Sequence, residues 1–278
     1  MKRQWSAILP LLIALSLLSI LAAAITVEAQ VGLPPLTPYS QNFDSLASSG
    51  TSSTLPSGWF FSESGTNANT TYTAGTGSST TGDTYSFGAA ASTERALGGL
   101  QSGSLIPTIG AGFVNSTTGT IGQLSISYNC EQWRLGTAGR ADRLDFQYST
   151  DAISLTSGTW TDFNPLDCTG PITTGTVGAL DGNAAANRIT VTAVLSNTGV
   201  FSVPNGSTFW IRWTDFNASG ADDGLSIDNF SMSLLTPTAV TLSDLTATSN
   251  NASLITLLAA LCLIALVTGL IVMRWRRA

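Results

Sequence analysis

The chain has 278 residues; setting aside an apolar N-terminal segment of 29 and an apolar C-terminal segment with its basic tail, 25 more, leaves 224 for folding. Charged residues are 10% of the chain, Ser and Thr together number 72 and Gly 27, so the folded surface is hydroxyl-rich rather than ionic. Five of the eleven basic residues (Lys2, Arg3, Arg274, Arg276, Arg277) lie at the ends, leaving six Arg against sixteen acids in the centre, a net charge of about -10 that repels phosphate backbones and argues against a nucleic-acid partner. There is no histidine, and the one lysine is Lys2, which excludes Ser-His-Asp and Cys-His nucleophiles, histidine-held zinc and Schiff-base chemistry in the centre.

In chain order, Met1-Lys2-Arg3, the apolar stretch from Ile8 to Ile25 and the small-residue site Val27-Glu28-Ala29 read as a secretory signal peptide over 1–29, with an uncleaved anchor as the alternative. Residues 30–235 form the exported domain. No window there keeps a 3.6-residue apolar period, whereas several alternate with period two, which predicts an all-β domain. The clearest strands are Leu124 to Cys130, Leu144 to Tyr148, Ile189 to Leu195, Phe209 to Trp213 and Leu225 to Leu234. Weaker ones are Gln41 to Phe43, Trp59 to Ser62, Thr70 to Ala74, Thr84 to Phe87, Arg95 to Leu97, Ile109 to Asn115 and Thr159 to Phe163. Twelve short strands with turn residues between them predict a two-sheet antiparallel β-sandwich of the jelly-roll kind. Ser45 to Ser57, Gly65 to Gly82 and Thr169 to Ala186 read as surface loops.

Beyond the domain, 236–253 reads as a stalk, 254–273 as a transmembrane helix of twenty uncharged residues, and 274–278 as a basic tail. The positive-inside rule places that tail in the cytoplasm, so the expected form is a single-pass, membrane-anchored protein displayed on the cell surface.

Several groups of residues could carry chemistry or stability. Cys130 and Cys168 are an even pair in an oxidising compartment and form a disulfide or stay as two buried thiols. The run from Asp215 to Gly224, with Asp228 in the following strand, concentrates hard oxygen ligands. Asp215, Asn217, Asp222, Asp223 and Asp228 are candidate calcium ligands, the alternative being an Asx-rich turn bonded to its own backbone. Arg143 and Asp145 share a strand face and read as a surface ion pair, with Asp215 and Asp228 as further partners for Arg143. For a carboxylate hydrolase the glutamates to test are Glu94 and Glu131, and Trp59, Trp133, Trp160 and Trp210 could form a sugar-stacking platform or simply pack. Six Asn-x-Ser/Thr triplets, at Asn69, Asn115, Asn205, Asn217, Asn229 and Asn251, arise easily by chance in so hydroxyl-rich a chain.

Gln41-Asn42-Phe43-Asp44 with Leu55-Pro56-Ser57-Gly58-Trp59, the run Asp142 to Asp151, and Phe209 to Asp215 with Asp223 to Phe230 together resemble secreted bacterial jelly-roll modules. These occur alone or ahead of extracellular nuclease and other catalytic domains. The resemblance covers about Tyr39 to Leu235 and implies a fold rather than an activity; no catalytic domain follows in this chain. The C-terminus is similar to the sorting tails of bacterial surface proteins, read by a membrane processing enzyme, but has Thr236-Pro237-Thr238-Ala239-Val240 in place of a Pro-Glu-Pro motif. The expected function is a non-catalytic surface module that serves the envelope or binds an extracellular glycan or protein ligand. The alternative is an extracellular polysaccharide hydrolase.

Overall fold

The computed structural model describes residues 30–34, 37–196 and 201–235. The signal peptide, stalk, transmembrane helix, sorting motif and basic tail expected from the sequence lie outside the described residues, as do Asn251 and Cys262. Among the described residues no helix is long and apolar enough to cross a membrane.

The described chain is all-β. Its strands are β1 (Val31–Leu33), β2 (Tyr39–Gln41), β3 (Thr51–Ser52), β4 (Trp59–Ser64), β5 (Tyr72–Gly75), β6 (Asp83–Phe87), β7 (Ala96–Leu100) and β8 (Ile106–Asn115). They continue with β9 (Leu124–Leu135), β10 (Arg143–Ser149), β11 (Thr161–Asp162), β12 (Cys168–Thr169), β13 (Gly178–Ala179), β14 (Arg188–Leu195), β15 (Thr208–Asp215) and β16 (Gly224–Leu234). Two single 3-10 turns, Asn164–Leu166 and Ala185–Asn187, interrupt them.

One sheet runs β1-β8-β15-β10-β11, with β4 also on β8 and β12 also on β10. The other runs β13-β9-β16-β7-β6-β5-β3, with β14 also on β9 and β2 also on β16. The long strands alternate between them: β8, β10 and β15 belong to the first sheet, β9, β14 and β16 to the second. Each connection therefore crosses the core, and sheet neighbours are distant in sequence.

Two pairings correct the purely antiparallel expectation. β1 lies parallel to β8, Val31 opposite Phe113. β8 has ten residues and β4 covers only Ile106 to Ala111, so the open edge of its last residues accepts the N-terminal segment. β5 and β6 are also parallel, Thr73 opposite Tyr85, because residues 76–82 carry the chain back over the face of the sheet before β6 begins.

The period-two pattern explains the core. Leu124, Ile126, Tyr128 and Cys130 of β9 meet Leu144, Phe146 and Tyr148 of β10 and Phe209, Ile211 and Trp213 of β15 in one cluster shared by both sheets. Trp213 is its hub, with Phe146, Tyr128, Phe230 and Trp59 packed around the ring at centroid distances of 5.1 to 6.2 Å. Cys130 and Cys168 are bonded, Cα atoms 5.2 Å apart, and staple β9 of one sheet to β12 of the other. Closing that loop of about 38 residues is worth roughly 3 to 4 kcal/mol.

Two smaller clusters sit on the outer faces. Tyr85, Phe87, Leu100 and Trp133 cover one sheet, and Ala152, Leu155 and Trp210, with Phe60 and Trp160 against them, cover the other.

Candidate functional site

The structure divides the acidic residues singled out in the sequence into two clusters. Asp215, Asp222 and Asp223 gather with Asp142 at the ends of β10, β15 and β16, where the charge of Asp142 adds to burial in raising the proton affinity of the other three. Asp228 stands elsewhere, beside Glu94 and Glu131, and Asn217 points out to solvent.

In the first cluster nearly every oxygen is occupied. Asp223 accepts from Gly136 N (2.7 Å) and Gln132 Nε2 (2.7 Å). Asp142 accepts from Asp223 N (2.7 Å) and Arg143 N (2.9 Å), Asp222 from Ala218 N (3.0 Å), and Asp215 from Gln101 N (3.0 Å). The guanidinium of Arg140 lies 3.0 Å from Asp142, donates to Ser219 O at 2.7 Å and also reaches Ala221 O. This network pins the turn between β15 and β16 to the turn between β9 and β10. It is the Asx-rich alternative in a buried form: the donors are backbone N–H groups, the Gln132 amide and one arginine. One cation faces four carboxylates, so burial and mutual repulsion push Asp222 and Asp223 up to about 6 and Asp215 well above the ordinary carboxylate range. The Oδ1 of Asp215 is sealed from solvent without a donor.

The second cluster is built on three neighbouring strands. Glu131 projects from the outer face of β9, Asp228 from β16 beside it, and Glu94 from the turn entering β7. One carboxylate oxygen from each lies within 4.8 Å of the other two. Glu131 is 0% exposed and Asp228 2% exposed, beneath the segment that carries Asn183. Trp133 Nε1 donates to Glu131 Oε2 at 3.1 Å, Asn229 Nδ2 to Asp228 Oδ2 at 2.5 Å, and Asn183 Nδ2 to Glu94 Oε2. Glu131 Oε1 and Asp228 Oδ1 have no donor. Burial first, then the charges of Asp228 and Glu94, pushes Glu131 up to about 8; burial, with Glu94 and Asp44 adding to it, pushes Asp228 up to about 7. Asn229 holds a left-handed backbone (φ 49°) where the pairing of β16 with β9 slips beyond Asp228.

Glu94 and Glu131, the glutamates expected of a hydrolase, are thus brought together, but Glu131 is sealed under the fold rather than set in a cleft. The aromatic platform is also rearranged: Trp59, Trp133 and Trp210 are at most 2% exposed and pack in the three clusters. Trp160 is half-buried, with the Arg212 guanidinium 4.0 Å over its ring. Arg143 pairs with Asp145 (2.5 Å) and Asp167 (3.7 Å) and lies over Phe216, not with Asp215 or Asp228. Among the triplets, Asn115 is fully buried with its amide bonded to Gly119 O and Val203 O, which leaves no room for a glycan.

One recess opens at the edge of the first cluster. It encloses about 250 Å³ between Gln101, Ser102, Arg134 and Asp222, with Thr80 at its rim. Gln101 is 4% exposed and its Oε1 lacks a donor. Sequence reading passed over Gln101 and Arg134, because nothing local to Gly99-Leu100-Gln101 or Trp133-Arg134-Leu135 brings β7 and β9 to one rim.

No family model and no curated protein matches this chain. Among solved structures it is similar to the K1 cleaved adhesin domain of Lys-gingipain from Porphyromonas gingivalis W83, 12% identical over 72% of this chain and 99% of that one, TM-score 0.31. It is similar also to a family 35 carbohydrate-binding module from Clostridium thermocellum, 13% identical over 46% of this chain and 69% of that one, TM-score 0.23. A third likeness is to the enzymatically active domain of bacteriophage CBA120 tailspike protein 4, 10% identical over 64% of this chain and 20% of that chain, TM-score 0.32. Likenesses this distant carry no argument about function.

Proposed function

We propose that the protein is a non-catalytic, surface-displayed jelly-roll module that binds an extracellular glycan in the recess between Gln101, Arg134 and Asp222. The observation that carries this reading is the mixture of planar groups around a small volume. An amide, a guanidinium and a carboxylate, with the Ser102 and Thr80 hydroxyls, can pair with the vicinal hydroxyls of a sugar, and 250 Å³ suits a ligand smaller than a drug-sized molecule. A ligand hydroxyl would supply the donor that Gln101 Oε1 lacks. The bonded Cys130–Cys168 pair supports an exported domain, and the apolar stretch at 254–273 would hold it at the membrane, with or without trimming by a sorting enzyme. Burial of Glu131 favours this reading over the hydrolase.

Intact cells producing the full chain, stained with fluorescent galacto-, gluco- and manno-oligosaccharides, test it. At least one series is expected to stain, with at least tenfold loss in Arg134→Ala and Gln101→Leu. Absence of staining across the series, or release of reducing ends that stops in Glu131→Gln, would overturn it.

A further inference from the structure

We infer that Glu94, Glu131 and Asp228 form the seat of one calcium ion on the outer face of the sheet. The inference stands on the geometry of this cluster and does not depend on glycan binding.

Two adjacent strands, β9 and β16, and the turn entering β7 present carboxylate oxygens that meet within 4.8 Å. Two of these side chains are more than nine-tenths buried and each keeps an oxygen, Glu131 Oε1 and Asp228 Oδ1, sealed from water with no hydrogen-bond donor. Asp83 Oδ1 and Asp215 Oδ1 are the other buried carboxylate oxygens without a donor among the described residues, and each stands alone; two unspent oxygens on side chains of adjacent strands call for a positive partner. No basic side chain among the described residues lies within 4.0 Å of any of the three, and Arg188, opposite Glu131 in the pairing of β14 with β9, is exposed to solvent.

The other oxygens show a second regularity. Glu131 Oε2, Asp228 Oδ2 and Glu94 Oε2 each accept from a neutral N–H, of Trp133, Asn229 and Asn183 respectively. Neutral donors on one oxygen orient a ligand carboxylate without competing for its charge, which is the usual outer support of a metal site. All the donor atoms are oxygens and the chain has no histidine, so the set suits a hard cation. Calcium, which tolerates irregular carboxylate sets and binds extracellular modules at about 0.1 to 1 mM, fits better than magnesium, which demands near-octahedral order and keeps its waters.

The test uses the purified full chain, stripped with chelator and titrated calorimetrically with calcium chloride and, separately, magnesium chloride. One calcium per chain is expected, with magnesium at least tenfold weaker. Glu131→Gln and Asp228→Asn should each weaken calcium at least tenfold, while Asp222→Asn, in the other cluster, binds as the unaltered chain does. Because the two triad variants could fail to fold, terbium supplies a readout on the unaltered protein. Trp133 touches Glu131, so terbium in the seat should luminesce on tryptophan excitation and be displaced by calcium. Trp133→Phe should abolish that luminescence and, by removing the donor to Glu131, also weaken calcium; luminescence that persists in it would place the ion elsewhere and overturn the inference. Absence of calcium heat and of terbium luminescence in the folded chain would overturn the inference. So would calcium binding that survives both triad variants or disappears in Asp222→Asn.

Discussion

The cluster around Asp223 and the triad around Asp228 lie within six residues of each other along the chain and contain the same kind of side chain, yet they satisfy it differently. At Asp223 both oxygens accept from protein donors, and Arg140 lies among the neighbouring carboxylates. At Asp228 one oxygen accepts from Asn229 and the other accepts from nothing. The first arrangement spends its charge on holding two turns together; the second keeps it in reserve. Carboxylate-rich sequence therefore says where negative charge is concentrated, and the donors around each oxygen say what it is for.

The largest test of the contrast is Asp223→Ala. It strands the Gly136 N–H and one N–H of the Gln132 amide in a dry site, and each orphaned donor costs about 1 to 3 kcal/mol, so urea unfolding should show a loss of about 2 to 6 kcal/mol. A loss under about 1 kcal/mol would erase the distinction between the clusters. Glu131→Gln in chelator should behave oppositely. With burial holding it at about 8, Glu131 is largely protonated at pH 7 once the cation is removed, so glutamine is a neutral isostere that still accepts from Trp133, and stability should hold within about 1 kcal/mol. A loss comparable to that of Asp223→Ala would make the triad a clamp as well.

The smallest effect concerns a carboxyl pair outside both clusters, where burial also favours a proton. Glu63 of β4 accepts from Thr84 N and Thr84 Oγ1 of β6, joining the two sheets, and Asp83 faces it. Burial first, with the charge of Glu63 among the further causes, raises Asp83 from 3.8 to about 6. The folded state then holds the proton more tightly than the unfolded chain. The stability it contributes is complete below about pH 4 and is lost as pH rises through about 6. Solvent reaches the pair, so the loss should be about 1 kcal/mol, and Asp83→Asn should flatten it in urea titrations between pH 4 and 7. An unchanged slope in that variant would assign the pH dependence to Asp222, Asp223 and Asp228.

Eleven of the twelve strands expected from the sequence are present, several with shifted ends: the run read as Leu124 to Cys130 continues to Leu135, and Ile109 to Asn115 begins at Ile106. The twelfth, Gln41 to Phe43, shares only Gln41 with β2 (Tyr39–Gln41), because Phe43 takes a left-handed backbone (φ 57°) in the turn that follows. The four strands that were not expected, β1, β3, β12 and β13, have two or three residues each and carry no periodicity to read. Pairing of Cys130 with Cys168 was legible because only two cysteines lie in the folded part. The ligand set around Asp228 was not, since Glu94 and Glu131 reach it from strands whose neighbours in the sheet are far away in sequence.

The sequence by itself determined the all-β character, the half-buried faces of the long strands and the restriction of the chemistry to carboxylates, because side-chain period and residue inventory are local properties. Only the tertiary structure decided which carboxylates meet, which tryptophans are buried and which strands run parallel. Those depend on how long strands alternate between two sheets, and on whether each buried oxygen finds a donor once they do.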